Sequence, residues 1–214
     1  MPARRGMTGI FLAGGQSRRM GVCKTFLPWG DGVLIDHIVR TLRAVADEVL
    51  IVAKDPALFA GRDACVVVDR LPETHPAVGL MTGLLAAAHE VSFVCGCDMP
   101  WLDPAVIRRL RAALGDADVV VPRGPGGLEP LHAIYRRRCL PRLERRWRAG
   151  RRTLQELLDG LSLRIVTPQM IAPRAAWQRS LTNLNTPADY DRIRRSTPVA
   201  RTPQEVTACR RHGV

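Results

Sequence analysis

Short apolar runs alternate with stretches of helical periodicity along the first half of the chain. Residues 7–12, MTGIFL, form the first run and close on Ala13 and two glycines. Residues 33–46 place Leu34, Ile35, Ile38, Leu42, Val45 and Ala46 on one side of a 3.6-residue period with polar residues opposite, which predicts an amphipathic helix. Residues 49–53 and 65–68 are rich in β-branched side chains and close on Lys54 and Asp69, the pattern of buried parallel strands. Residues 79–90, dense in alanine and leucine, predict a second helix leading into a strand at 91–97 that ends at Asp98. This alternation predicts an α/β fold with a single doubly wound, mostly parallel sheet.

Asp103 before Pro104 predicts a capped helix start, and Gly115 its end. A strand follows at 119–121, then a loop over 122–130 (PRGPGGLEP), and a strand again at 131–135. Beyond that the alternation lapses. Residues 137–148 and 154–158 predict helices, 163–166 a short strand, and 187–195 a helix capped by Thr186. The expected organisation is one domain over 1–195, irregular towards its carboxyl end, and a loosely ordered tail over 196–214, with no internal repeat.

Residues 12–24, LAGGQSRRMGVCK, gather the densest chemistry. Gly14 and Gly15 permit backbone angles and ligand approach that other residues forbid, so successive N–H groups can converge on an anion. Arg18, Arg19 and Lys24 add two guanidinium forks and a point charge, a set suited to a triphosphate. There is no GxxxxGK[ST] and no GxGxxG opening a helix, so neither a Walker loop nor a Rossmann fingerprint fits. The same letters also allow a glycine turn beside a solvated basic patch.

At 214 residues the chain is long enough for one substantial core. The formal charge is +12, from 32 Lys and Arg against 20 Asp and Glu. Many arginines fall in 136–152 and 192–211, on expected helix faces and in the tail, without the interleaved aromatics a base-stacking surface needs; aromatic residues are 5% of the chain. Nucleic acid is therefore not the expected partner. No apolar run has the length of a membrane span or signal peptide, and the expected location is the cytoplasm. Six cysteines (23, 65, 95, 97, 139 and 209) form neither a CxxC pair nor a disulfide framework. Cys95 and Cys97 could in principle hold a soft metal, but nothing near them in sequence completes a site, and buried strand cysteines are expected.

In an open parallel sheet, ligands bind beyond the carboxyl ends of the strands. Leu12 and Ala13, Lys54, Asp69 and Asp98 stand at such ends. Asp69 and Asp98 could instead cap helices or turns. In CDMP, Pro100 holds Met99 extended just after Asp98, which suits a metal ligand.

The stretch 12–24 resembles the signature LAGGxSxRMGxDK of nucleotidyltransferases that activate small molecules with an NTP, and above all that of bacterial molybdenum cofactor guanylyltransferases. Later landmarks recur in order: GLMTG (79–83) where that family has GPLAG, CDMP for CDxP, EPLHAIY (129–135) for QPLxALY, and NLNTP (183–187) for NxNTP. The resemblance implies a Rossmann-like nucleotidyltransferase fold and transfer of GMP from GTP to molybdenum-molybdopterin, with molybdoenzymes or their chaperones as further partners. It implies Mg2+ on Asp98, a nucleotide site of Leu12, Ala13, Gly14, Gly15, Lys24, Lys54, Asp69, Gly79 and Asp98, and catalytic roles for Arg19, Lys24 and Asp98. Pro130, Leu131, Asn183 and Asn185 would line the pterin side. NLNTP also reads as an asparagine turn before a capped helix, and His132 as a structural histidine.

A cytidylyltransferase for the same pterin, or a sugar- or polyol-phosphate nucleotidyltransferase, shares most of these features. A carrier that binds nucleotide or cofactor without catalysis is the reading from another class, and Cys23, where the family has Asp, favours it. A Cys23→Asp variant separates the two. Pyrophosphate release should rise at most modestly, whereas a jump from no turnover would support the carrier.

Overall fold

The computed structural model describes residues 6–13, 24–69, 75–170 and 174–196. Ten strands and seven helices occur among them: β1 (Met7–Leu12), β2 (Pro28–Trp29), β3 (Gly32–Val33), α1 (Leu34–Arg43), β4 (Glu48–Ala53), β5 (Cys65–Val68), α2 (Pro76–Ala86), β6 (Val91–Gly96), α3 (Pro104–Ala112), β7 (Val119–Gly124), β8 (Gly127–Leu128), β9 (His132–Arg136), α4 (Leu140–Arg148), α5 (Leu154–Leu158), β10 (Leu163–Val166), α6 (Arg174–Ser180) and α7 (Pro187–Ser196). No helix among them is long and apolar enough to cross a membrane.

The main sheet has eight strands in the order β10-β7-β9-β6-β1-β4-β5, with β8 paired to β7. β6, β1, β4 and β5 are mutually parallel, and β10 is parallel to β7. β9 runs antiparallel between β6 and β7. β1, fully buried, and β6, buried beyond Val91, sit at the centre, as continuous apolar strands require. One core cluster lies against α1, α3, α6 and α7, the other against α2, α4 and α5, so both faces of the sheet are covered.

The expected doubly wound, mostly parallel sheet is observed, with shifts at its details. α2 begins at Pro76, three residues before the alanine-rich stretch, because His75 Nδ1 accepts the Ala77 N–H at 3.1 Å and Pro76 sets the first helical angle. The stretch 122–130, read as a loop, is in part a hairpin: β7 runs to Gly124 and pairs with β8, turning through Gly127 at φ 117°. The β2–β3 hairpin, turning at Gly30 with φ 62°, and helix α6 carry no periodic signal. Thr186 caps α7 as expected: its hydroxyl accepts the Asp189 N–H at 3.1 Å while the Asp189 carboxylate accepts the Thr186 N–H at 2.9 Å. Residues 197–214, most of the expected tail, lie outside the described residues.

His132 lies in the core, but its Nδ1 has no hydrogen-bond partner among the described residues. It is fully buried on β9, edge-on to Phe93 at 5.3 Å, with Nε2 3.2 Å from Ser180 Oγ. Cys95 is equally a core residue, its thiol donating to the Ile10 carbonyl at 3.6 Å and pushed upward in pKa by burial. Among the described residues no group of three or more His, Cys, Asp or Glu could hold a metal ion.

Burial lowers the pKa of His132 to about 3, against about 6.5 in an unfolded chain. The folded protein therefore keeps this ring neutral while the unfolded chain binds a proton below that value, so stability falls as pH drops from about 6.5 towards 3, by up to about 1.4 kcal/mol per pH unit. Denaturant titrations across this range should show a shallower pH dependence for His132→Gln than for the wild type.

Candidate functional site

Because β6, β1, β4 and β5 are parallel neighbours, their carboxyl ends line one edge of the sheet. Leu12 is buried at the end of β1, and the Ala13 N–H donates to the Val52 carbonyl at 2.9 Å, so the chain leaves β1 still held to β4. Gly14, Gly15, Arg18, Arg19 and Cys23 follow and lie outside the described residues. Lys24 opens a 3-10 turn, and its Nζ reaches Asn185 Oδ1 at 3.5 Å.

At the far end of this edge, Lys54 Nζ lies 3.5 Å from Asp69 Oδ2. The Asp69 side chain is only 8% exposed, and its Oδ1 is buried without a hydrogen-bond partner among the described residues. An open buried acceptor costs about 1–3 kcal/mol, which a ligand donor would recover. α2, the next helix among the described residues, is capped by His75 rather than by Asp69.

Asp98 follows β6. Its carbonyl accepts the Leu184 N–H at 2.7 Å, which fastens the NLNTP segment to this strand end. Its Oδ1 lies 2.8 Å from where a Cβ on Gly96 would stand, so the carboxylate occupies space left open by a glycine. Asp103 caps α3, with Oδ1 2.7 Å from the Ala105 N, which leaves the Asp98 carboxylate free of that role. Burial raises the pKa of Asp98 above the usual carboxylate range, and the Lys24 charge opposes the rise. Asp98 and Asp69 stand three strand spacings apart, roughly 14 Å, too far to share one ion.

The remaining expected residues divide. Gly79 is helical and buried in α2, where a Cβ would stand 3.5 Å from Leu12; the glycine lets α2 pack on the end of β1. Pro130 is buried, its carbonyl accepting the Tyr135 hydroxyl at 2.7 Å, and the Leu131 carbonyl accepts the Gly96 N–H at 3.2 Å. Asn183 Oδ1 is buried without a hydrogen-bond partner among the described residues. NLNTP caps α7 through Thr186 and also contacts the sheet edge, through the Leu184 N–H on Asp98 and Asn185 Oδ1 near Lys24.

One residue of this edge escaped the sequence reading. Glu129 is half-buried, and burial together with the Asp98 charge raises its carboxyl pKa. In the sequence it sits in a glycine- and proline-rich stretch that carries no sign of an antiparallel neighbour.

A largely parallel sheet that gathers a lysine, two acidic strand ends and a polar turn along its carboxyl edge defines a nucleotide-handling α/β protein. Residues 9–165 match the MobA-like NTP transferase domain, and the chain belongs to that family. It is 35% identical over 188 residues to the molybdenum cofactor guanylyltransferase of Desulfosudis oleivorans, covering 87% of this chain and 93% of the relative. It is 31% identical over 193 residues to that of Syntrophotalea carbinolica, covering 89% and 92%. The molybdopterin-guanine dinucleotide biosynthesis protein A of Archaeoglobus fulgidus shares the fold, with a TM-score of 0.77 at 23% identity over 89% of this chain and 98% of that one. The protein is a nucleotidyltransferase.

An Asp98→Asn variant separates chemistry from folding. Removing a desolvated charge should leave the melting temperature unchanged or higher, while pyrophosphate release falls by roughly a hundredfold or more through loss of charge stabilisation. Calorimetry beside a pyrophosphate assay reads both.

Proposed function

We infer that the protein transfers GMP from GTP to the terminal phosphate of molybdenum-molybdopterin, releasing pyrophosphate and forming the guanine dinucleotide cofactor. The observation that carries this reading is the meeting of Lys24, Asp98 and the NLNTP turn at one sheet edge, through Leu184 N–H to Asp98 O at 2.7 Å and Lys24 Nζ to Asn185 Oδ1 at 3.5 Å. Extensive identity to guanylyltransferases supports the choice of substrates.

The Lys24 ammonium would hold the leaving phosphates together with Arg19 and the Gly14 and Gly15 amides. Lys54 and Asp69 would meet the nucleoside end, the open Oδ1 of Asp69 accepting from it. Pro130, Leu131, Asn183 and Asn185 would face the pterin. A phosphate monoester is largely ionised at neutral pH, with a second pKa of about 6, so no strong general base is required. His132 could not supply one, being fully buried with Nε2 beside Ser180.

The donor set at Asp98 fits a divalent cation. A desolvated carboxylate is a hard oxygen ligand, and Mg2+ is held by one or two carboxylates with phosphates and waters completing its shell. Mg2+ on Asp98 would neutralise phosphate charge and orient the reacting oxygens when bound.

Pyrophosphate release with GTP, CTP, ATP and UTP beside molybdenum-molybdopterin tests the reading. GTP alone should support turnover, and EDTA should abolish it; turnover with CTP and not GTP would overturn the substrate choice.

A further inference from the structure

The segment that carries Lys24 is tied to α7. Residues Lys24–Phe26 form a 3-10 turn, closed by the Leu27 N–H on the Lys24 carbonyl at 3.2 Å, and the Leu27 carbonyl accepts the Leu34 N–H at 2.9 Å. The Pro28 carbonyl then accepts the Tyr190 hydroxyl at 2.7 Å. Beside it, buried Trp29 meets Trp101 edge-on at 5.0 Å, just past the CDMP turn. The backbone under Lys24 is thereby fixed both to α7 and to the strand end that carries Asp98.

The head of Lys24 is held separately. Its Nζ donates to Asn185 Oδ1 at 3.5 Å. Asn185 is exposed, yet its main chain is anchored, because the Asp189 carboxylate accepts its N–H at 3.1 Å and that of Thr186 at 2.9 Å. The Leu184 N–H just before it donates to the Asp98 carbonyl at 2.7 Å. A lysine ammonium rides on a flexible stem that has to be ordered each time its charge is used. An acceptor fixed beside it lowers that ordering cost before a ligand arrives.

We propose that Tyr190 and Asn185 are positioning residues for the nucleotide phosphates, Tyr190 by fixing the backbone under Lys24 and Asn185 by orienting its ammonium. This rests on the reading of Lys24 as the cation of the leaving phosphates. The carboxyl-terminal segment then acts on the nucleotide half of the reaction before any acceptor is present, a role separate from lining the pterin side.

Inorganic pyrophosphate with Mg2+ and no acceptor is the probe, titrated into the full chain by calorimetry. It presents the phosphate pair that Lys24 would hold, without base, ribose or pterin. The wild type should bind it, and Lys24→Ala should weaken binding roughly tenfold or more. Asn185→Ala and Tyr190→Phe should each weaken it roughly threefold to tenfold, the scale of one net hydrogen bond. In the Lys24→Ala background neither should cost anything further, since both act through that side chain. Asn185→Ala should melt with the wild type because its side chain is exposed. In pyrophosphate release, Tyr190→Phe should raise the KM for GTP and leave that for molybdenum-molybdopterin unchanged. A cost of equal size in the Lys24→Ala background, no cost in the wild-type background, or the reverse KM split would overturn the positioning role alone. Unchanged pyrophosphate affinity in Lys24→Ala, or no binding by the wild type, would overturn the phosphate role of Lys24 along with it.

Discussion

A strand that runs antiparallel inside an otherwise parallel sheet brings the loop before it to the same edge as its neighbours' carboxyl ends, and β9 does this beside β6. The pairing places Pro130 and Leu131 beside the CDMP turn, and the Gly96–Leu131 hydrogen bond adds one step beyond the Cys95–His132 pair. Were β9 parallel, those residues would stand at the opposite edge of the sheet, and Asp98 would face β1 alone. That residues from both sides of β6 meet at one edge follows from this one reversal.

The carboxyl-terminal segment docks on β9 and on the turn after β6. Ser180 reaches His132 inside the core, and Leu184 donates to the carbonyl of Asp98. These contacts fix NLNTP from both ends, with the Thr186–Asp189 capping box starting α7 immediately afterwards. Tyr190 of α7 in turn donates to the Pro28 carbonyl of the β2–β3 hairpin at 2.7 Å, tying the segment after Lys24 to the same layer. Lys24 and Asn185 meet because both of their supporting elements are held to each other as well as to the sheet.

Charge at this edge is arranged at a cost to the ligand-free protein. Asp69 has an open buried oxygen, and Asp98 and Glu129 are both desolvated. Unsatisfied acceptors are tolerated where a ligand supplies what the fold leaves open, namely donors or positive charge. The basic surface that dominates the net charge is a different matter. Arg138 and Arg142 bind Asp118, and Arg146 binds Asp159, so part of it is spent on the protein's own loops and helix ends.

The linear pattern alone determined the parallel half of the molecule. Apolar runs closing on Leu12, Lys54, Asp69 and Asp98 are local signals, and their alternation with helices leaves little choice of architecture. The capping letters Asp103 and Thr186 were equally legible, since a cap is a contact between residues two or three positions apart. The direction of β9, the hairpin hidden in PRGPGGLEP, helix α6 and the place of Glu129 were decided by tertiary structure. The direction of β9 depends on pairing with β6, more than thirty residues away in the chain, and hydrophobic periodicity carries no information about the sign of that pairing, whereas the hairpin pairs near neighbours and was masked by its glycines and prolines. Asp69 and Asp98 were visible as strand-end carboxylates, but only the fold showed that α2 and α3 are capped by His75 and Asp103 instead and that the Asp69 side chain is buried.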